Sequence, residues 1–267
     1  MDCKYIFLDI DGTLVDFQGK LADSALKALE TAKSNGHKLF VCTGRQRSQI
    51  YPWLLEKVDF DGAVCSSGAY VMADGECIAQ HCFSKEYITF LSDYFTAAHT
   101  PYCVQTEHTL MLEKWCGDAI VEHYLADGID RGKIDSLFES VPELTVAEKL
   151  IYYGAPKGLS DVAADLGDRF SVVRYSFGSM GDRCGEVTDS RYTKATGMAE
   201  ILRRFDAPQS ATIAFGDGDN DLEMMDFASF GVAMDNGTPA LRAAADMVTD
   251  DINSNGLYNA FKKLGLI

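Results

Sequence analysis

The chain has 267 residues, enough for one large or two modest domains, and either can bury a core. Hydrophobic residues at 47% and charged residues at 24% are the balance of an ordinary soluble globular protein. A formal net charge of −16 argues against a nucleic-acid backbone as partner, since phosphate-backbone binding needs clustered Lys and Arg.

The predicted elements begin at once. Tyr5-Ile6-Phe7-Leu8 predicts a buried strand that stops at Asp9-Ile10-Asp11-Gly12-Thr13, a glycine turn loaded with carboxylates. A helical pattern over about 22–35 puts Leu26, Leu29 and Ala32 on one face and ends at Asn35-Gly36. Lys38-Leu39-Phe40-Val41-Cys42 is the next strand, stopping at Thr43-Gly44-Arg45, and a further helix precedes the short strand Gly62-Ala63-Val64-Cys65.

The middle of the chain, 84–182, changes rhythm. A helix over 85–98 leads to a hairpin of Tyr102-Cys103-Val104-Gln105 and Leu110-Met111-Leu112. Short helical patterns follow, then a strand at 149–153, a helix near 157–167 and a strand at Phe170-Ser171-Val172-Val173. The regular alternation then returns, with helix 194–205, strand 211–215, helix 219–226, strand 229–233 and helix 238–245. Strands alternating with helices imply parallel βαβ units. The expected fold is therefore α/β: a doubly wound parallel sheet formed by 1–83 and 183–267, with an α+β module at 84–182 inserted into it. Ligands on such sheets bind at the carboxyl ends of the strands, where Asp9, Thr43 and Asp217 all fall.

The N-terminus lacks the charged-then-apolar layout of a signal peptide, and no apolar stretch approaches the roughly 18 residues that cross a bilayer. The eight cysteines show no CxxC spacing, so reduced thiols and a cytoplasmic location are expected, with no membrane partner. Cys77, His81 and Cys82 lack the second pair that a zinc site requires.

Two acidic strand ends carry the chemistry. Converging carboxylates repel one another and resist burial, so they need a cation to be stable together. A hard cation such as Mg²⁺ takes oxygen ligands and favours a few carboxylates plus a phosphate. Asp9 is the candidate nucleophile, able to form an aspartyl-phosphate and divide a difficult hydrolysis into two easier steps. Asp11 is placed to protonate the leaving oxygen and then take a proton from water. Gly216-Asp217-Gly218-Asp219-Asn220-Asp221 is the second cluster, and Asp217 completes the metal site with Asp9 and the carbonyl of Asp11. A calcium loop starting at Asp217 is rejected, because its sixth position is Leu222 where Gly is needed and its twelfth is Ala228 where Glu is needed. Thr43 and Gly44 offer a hydroxyl and backbone N–H groups as a phosphate cradle. Lys194, opening its helix, balances phosphate charge if Asp221 orients it, and Asn220 is within reach of a phosphate oxygen. Asn236-Gly237-Thr238 matches a glycosylation sequon but reads as a turn. Within the inserted module, Tyr102, Trp115, Tyr124, Glu107 and Glu113 are candidates for a pocket lining, although packing and solvation explain them equally well.

Taken together, these motifs resemble the haloacid dehalogenase-like phosphatases of the Cof type over nearly the whole chain. The matching stretches are Asp9-Ile-Asp11-Gly-Thr13, Thr43-Gly44-Arg45, Lys194 and Gly216-Asp217-Gly-Asp-Asn220-Asp221, followed by Val232–Asn236 and Thr249–Gly256. The resemblance implies a Rossmann-like core, an α/β cap inserted between the second and third motifs, and Mg²⁺-dependent hydrolysis of small phosphate esters such as sugar phosphates. It assigns Asp9 as nucleophile and Asp11 as acid/base. Thr43, Gly44, Lys194 and Asn220 become phosphate contacts, Asp217 a metal ligand and Asp221 a supporting carboxylate. Ser67 departs from the family's usual Asn-Gly-Ala, which leaves its own role open, the role of Arg45 is likewise open, and Asp235 replaces the family's usual small residue before Asn236. A phosphomutase of the same fold is the alternative enzyme, and a phosphorylatable signalling domain the non-catalytic one.

Overall fold

The computed structural model describes residues 2–107, 110–126, 138–140, 147–175 and 181–267. In chain order the strands are β1 (Tyr5–Leu8), β2 (Lys38–Cys42), β3 (Gly62–Cys65), β4 (Tyr70–Ala73), β5 (Glu76–Gln80), β6 (Tyr102–Gln105) and β7 (Leu110–Leu112). They continue with β8 (Phe138–Ser140), β9 (Lys149–Tyr152), β10 (Phe170–Arg174), β11 (Gly185–Asp189), β12 (Thr212–Gly216), β13 (Phe230–Ala233) and β14 (Met247–Val248).

Eight of these strands form one sheet in the order β14-β13-β12-β1-β2-β3-β4-β5. From β14 to β3 the pairing is parallel, and β4 and β5 extend the sheet antiparallel. Alternation along the strands explains why both faces are covered. Ile6 and Leu8 point into one core with Leu39, Val41, Ile213 and Phe215, packed by the helices Asp23–Ser34 and Gly256–Lys263. Phe7 points into the other with Phe40, Cys42, Val64 and Ala214, packed by the helices Lys194–Arg204 and Leu222–Phe227. Phe7 and Phe40 stack across adjacent strands with ring centroids 5.0 Å apart. Because six neighbouring strands are parallel, the carboxyl ends of β1, β2, β3 and β12 lie along one edge of the sheet. This is the doubly wound α/β core expected from the sequence.

The chain separates into two compact units: Met1–Arg45, Gln49–Gln80 and Tyr192–Ile267 form the first, and Gln46–Ser48 with His81–Arg191 the second. The second unit holds the sheet β10-β11-β9-β6-β7-β8. Its core gathers Phe95, Tyr102, Val104, Leu150 and Tyr152 with Leu91 and Val162 from the helices Lys85–Ala97 and Leu159–Leu166. Its main segment begins at His81, and it ends after 182 because β11 belongs to its sheet, pairing with both β10 and β9. Neither β11 nor the β4–β5 hairpin is among the predicted strands. Of the short helical patterns expected before 149, one is the helix Gly117–Ala126, and 127–137 and 141–146 lie outside the described residues.

All eight cysteines are free thiols, five of them buried. Among the described residues, no helix is long and apolar enough to cross a membrane.

Candidate active site

The site is built on the ends of β1 and β12. Asp9 follows β1 directly, is buried, and its N–H donates to the Phe215 carbonyl at 3.0 Å, tying the two strand ends together. The chain then turns sharply: the Leu14 and Val15 N–H groups both donate to the Ile10 carbonyl, at 2.9 and 2.8 Å. Gly12 is indispensable to that turn. Its φ is +85°, and a Cβ there would lie 2.1 Å from Asp217 Oδ2. The turn is held on β12 by Thr13, whose hydroxyl donates to Asp217 Oδ1 at 3.1 Å. Asn236 braces it from behind, donating from Nδ2 to the Gly12 carbonyl at 2.8 Å and accepting from the Ile252 N–H at 2.9 Å. The Asn236 amide is thereby engaged within the fold, in keeping with a structural turn.

Lys194 enters from the first turn of the helix Lys194–Arg204. Thr193 caps that helix in a reciprocal pair with Thr196, which fixes where the lysine points. Only 1% of Lys194 is exposed; its Nζ donates to Asp9 Oδ1 at 2.6 Å and to Asp221 Oδ1. The other oxygen of Asp221 accepts the N–H groups of Asp217 and Gly218, each at 3.0 Å. Asp221 thus spends one oxygen on the lysine and the other on the turn that carries Asp217.

Carboxylate oxygens of Asp9, Asp217 and Asp221 all lie within 4.8 Å of one another. Burial pushes the Asp9 carboxyl well above the usual carboxylate range; the Lys194 ammonium pulls it back, and Asp221, Asp217 and Asp11 add to the rise. Asp217 is pushed up to about 7 by burial and then by Asp221, against the pull of the Thr13 hydroxyl and Lys194. Lys194 is buried too, but its two carboxylate neighbours hold it above its ordinary value. One ammonium therefore does not neutralise this cluster. The donor set, hard oxygens with surplus negative charge, fits a divalent cation held by Asp9 and Asp217, with Asp221 already committed to other partners.

Asp11 stands apart from the other three carboxylates. Arg45 grips it with both prongs, Nε to Oδ2 at 2.6 Å and Nη2 to Oδ1 at 2.8 Å. The same guanidinium donates to the Tyr51 hydroxyl at 2.7 Å and the Gln49 carbonyl at 3.1 Å, and lies 4.4 Å from the Tyr51 ring centroid. Sequence reasoning did not find this pairing. The only available signal was an arginine directly after Thr43-Gly44.

Thr43 directly follows β2 and is buried; its N–H donates to the Val64 carbonyl at 2.8 Å, and its hydroxyl accepts the Arg45 N–H at 3.1 Å. Ser66 and Ser67 follow β3 with φ of 48° and 54°, an uncommon conformation for residues with a side chain. Their N–H groups donate to the carbonyls of Arg45 (2.8 Å) and Thr43 (3.1 Å), bracing the Thr43–Arg45 turn from below. Ser67 therefore has a backbone role that its sequence departure did not reveal. Asn220 lies in the short helical turn Asp219–Asp221, half-buried, its Oδ1 folded against Gly218. The structure thus joins Asp9, Asp217, Asp221 and Lys194 by direct contact or close approach, with Thr43 and Gly44 on the adjacent strand end.

The other candidates lie in the second unit. Tyr102 is a core residue: its hydroxyl is 2.6 Å from that of Ser92, and its ring packs on Phe95. Glu107 pairs with Arg47 at 2.9 Å, Glu113 accepts from Tyr102 at 3.5 Å, and Trp115 is 44% exposed. The side chain of Tyr124 lies outside the described residues.

Comparison with known proteins gives a consistent picture. The sequence profile of the family described as haloacid dehalogenase-like hydrolase matches residues 6–261. The protein YkrA of Bacillus subtilis (strain 168) is 28% identical over 100% of both chains. The 5-amino-6-(5-phospho-D-ribitylamino)uracil phosphatase YitU of the same organism is 26% identical over 97% of this chain and 96% of its own. Among solved structures, the subclass IIB sugar phosphatase BT4131 superimposes with a TM-score of 0.83 at 26% identity, covering 99% of this chain and 100% of its own.

Proposed function

The chain belongs to the haloacid dehalogenase-like hydrolases, and from that membership we propose that it is a Mg²⁺-dependent phosphatase of small phosphate monoesters, sugar phosphates or similar metabolites, working through an aspartyl-phosphate. The observation that carries the reading is the Lys194 ammonium 2.6 Å from Asp9 Oδ1, with Asp217 at the next strand end. An ammonium there favours the ionised form of Asp9 against its burial and the neighbouring acids, and leaves Oδ2 as the attacking atom. When bound, Mg²⁺ would be held by Asp9, Asp217 and the Asp11 carbonyl, and would offset the charge of the phosphate. The relatives named above as phosphatases of a ribitylaminouracil phosphate and of sugar phosphates support the substrate class.

In the first step Asp9 Oδ2 bonds to phosphorus, the bond to the ester oxygen breaks, and Asp11 gives that oxygen a proton. In the second, water bonds to phosphorus, its proton passes to Asp11, and the acyl-phosphate bond breaks to return Asp9 as a carboxylate. Asp11 needs a free oxygen for either transfer, so Arg45 must release one of the two it holds. Thr43, the Gly44 N–H, Lys194 and Asn220 hold the phosphoryl oxygens while Asp221 keeps Lys194 in place. On this reading the second unit is the inserted cap. The test is phosphate release from a panel of phosphate monoesters with Mg²⁺ and with chelator, alongside mass spectrometry of the acid-quenched enzyme for phosphate on Asp9. Silence across the panel would reject the reading.

A further inference from the structure

Arg45 is held by much more than its pairing with Asp11. Its N–H donates to the Thr43 hydroxyl at 3.1 Å and its carbonyl accepts the Ser66 N–H at 2.8 Å, which pins its backbone to the ends of β2 and β3. Nη1 donates to the Gln49 carbonyl at 3.1 Å and Nη2 to the Tyr51 hydroxyl at 2.7 Å, while the guanidinium carbon lies 4.4 Å from the Tyr51 ring centroid. The Tyr51 ring is itself backed by Trp53, stacked on it with centroids 5.4 Å apart. All of these partners belong to the first unit. The guanidinium is therefore a preorganised cation whose position does not depend on Asp11.

Asp11 is the partner that has to move. Nε and Nη2 of Arg45 hold both its oxygens, at 2.6 and 2.8 Å, and the two side chains are only 16% and 18% exposed. An oxygen that Asp11 turns to the ester is an oxygen taken from the guanidinium. Catalysis thus deprives a largely buried, charged N–H of a carboxylate acceptor, and such a donor is expensive to leave without a replacement. Water reaches it poorly, and its other bonds keep the guanidinium from following Asp11. Geometry limits where a replacement can lie. The released N–H stands one hydrogen bond from Asp11, and Asp11 stands one hydrogen bond from the ester oxygen at proton transfer. Arg45 is therefore within about 6 Å of that oxygen, the reach of a group attached to the carbon that bears it.

The acceptor that best restores what Asp11 gives up is another carboxylate, since a planar guanidinium matches its geometry and charge-assisted bonds are roughly twice as strong as neutral ones. We propose that Arg45 is exchanged from Asp11 to a carboxylate of the substrate, so that the preferred esters are 2-hydroxy acids phosphorylated on that hydroxyl. The inference rests on the phosphatase reading above and narrows its substrate class. In the empty protein Arg45 holds the acid/base idle. When the ester binds, its carboxylate takes the guanidinium and Asp11 turns to the ester oxygen, so recognition and release of the acid/base are one event. An ester without the carboxylate has to separate Arg45 from Asp11 uncompensated. Sites built around a polar partner reject the analogue lacking it strongly for this reason.

The test compares phosphoglycolate with 2-hydroxyethyl phosphate, in which a neutral hydroxymethyl group replaces the carboxylate, using the full chain with Mg²⁺. The readout is the ratio of their kcat/KM values. The wild type should favour phosphoglycolate by about tenfold or more, the worth of one charge-assisted hydrogen bond. Arg45→Met should bring the ratio close to one, and Arg45→Lys, which keeps the charge without the fork, to an intermediate value. A merely structural role for Arg45 would slow both esters alike and leave the ratio where it was. Should the variants fold poorly, calorimetric binding of 3-phosphonopropionate against propylphosphonate to the wild type reads the same preference without turnover. A wild-type ratio near one, equal binding of the two phosphonates, or a ratio that survives in both variants, as a phosphoryl oxygen on Arg45 would give, overturns the inference and leaves phosphatase activity standing. So does a wild type that hydrolyses 4-nitrophenyl phosphate but neither small ester. A wild type inactive on all three overturns the phosphatase reading and this inference with it.

Discussion

Removing the charge at Lys194 would strand two buried carboxylates, Asp9 and Asp221, which now share its ammonium. Lys194→Met should therefore cost about 3–5 kcal/mol in the metal-free protein, measured by urea unfolding, and added Mg²⁺ should restore part of the loss. Asp217 makes an opposite kind of statement. Its carboxyl is pushed up to about 7, so between the unfolded value near 3.8 and 7 the folded state binds more protons than the unfolded one. Its contribution to stability is full below the unfolded value and is lost as pH rises through 7. The difference in stability between wild type and Asp217→Asn should accordingly shift against the wild type as metal-free protein is taken from pH 4 to pH 8. A flat difference would show that Asp217 titrates normally. For catalysis, Asp9→Asn should lower kcat by at least about 10³-fold, because an amide is a poor nucleophile, and Asp11→Asn by about 10²–10⁴-fold with metal binding largely retained. These acids were legible in the sequence because each stands at the end of an apolar run. The Arg45–Asp11 pair was not legible, since its partners meet only when β1 and β2 lie side by side.

Among the elements, the left-handed turn after β3 locks two parts of the site together. Ser66 and Ser67 brace the Thr43–Arg45 turn through their N–H groups, while Gly68, with φ of +103°, packs against the Thr193 backbone that caps the lysine-bearing helix. A Cβ at Gly68 would lie 2.1 Å from the Thr193 carbonyl oxygen. Gly68→Ala should thus cost about 2–4 kcal/mol by urea unfolding and lower kcat as well, since it pushes on the residue before Lys194. Thr193→Ala, which only removes the cap, should cost about 1 kcal/mol. The helices Asp23–Ser34, Lys85–Ala97 and Lys194–Arg204 and the central strands were readable from apolar periodicity, whereas the helix Gly256–Lys263 was not among the predicted elements. β11 was not: in Gly185-Glu186-Val187-Thr188-Asp189 a single apolar side chain gives no pattern, and the segment is a strand because β10 and β9 pair with it on either side. The β4–β5 hairpin escaped for a related reason, because much of β5 is exposed and its sequence shows no clean alternation.

At the scale of the whole molecule, a surplus of acids at one sheet edge should make stability depend on a cation. A ligand that binds only the folded state at a hundred times its Kd adds about 2.7 kcal/mol, so Mg²⁺ should raise the unfolding midpoint of the unit containing Asp9 and Asp217, and chelator should return it. Scanning calorimetry with and without Mg²⁺ checks this, and a midpoint indifferent to the metal would remove the metal site. The amino-acid sequence by itself determined the strand–helix alternation, the acidic composition, and the seating of Asp9, Thr43 and Asp217 at strand ends. All of these follow from local periodicity and turn chemistry. Only the tertiary structure decided who partners whom: Lys194 with Asp9 across 185 residues, Asp221 with the turn that holds Asp217, and Arg45 with Asp11. The physical reason is that such contacts depend on strand order and register, which arise when distant segments pair and which no local pattern of side chains encodes.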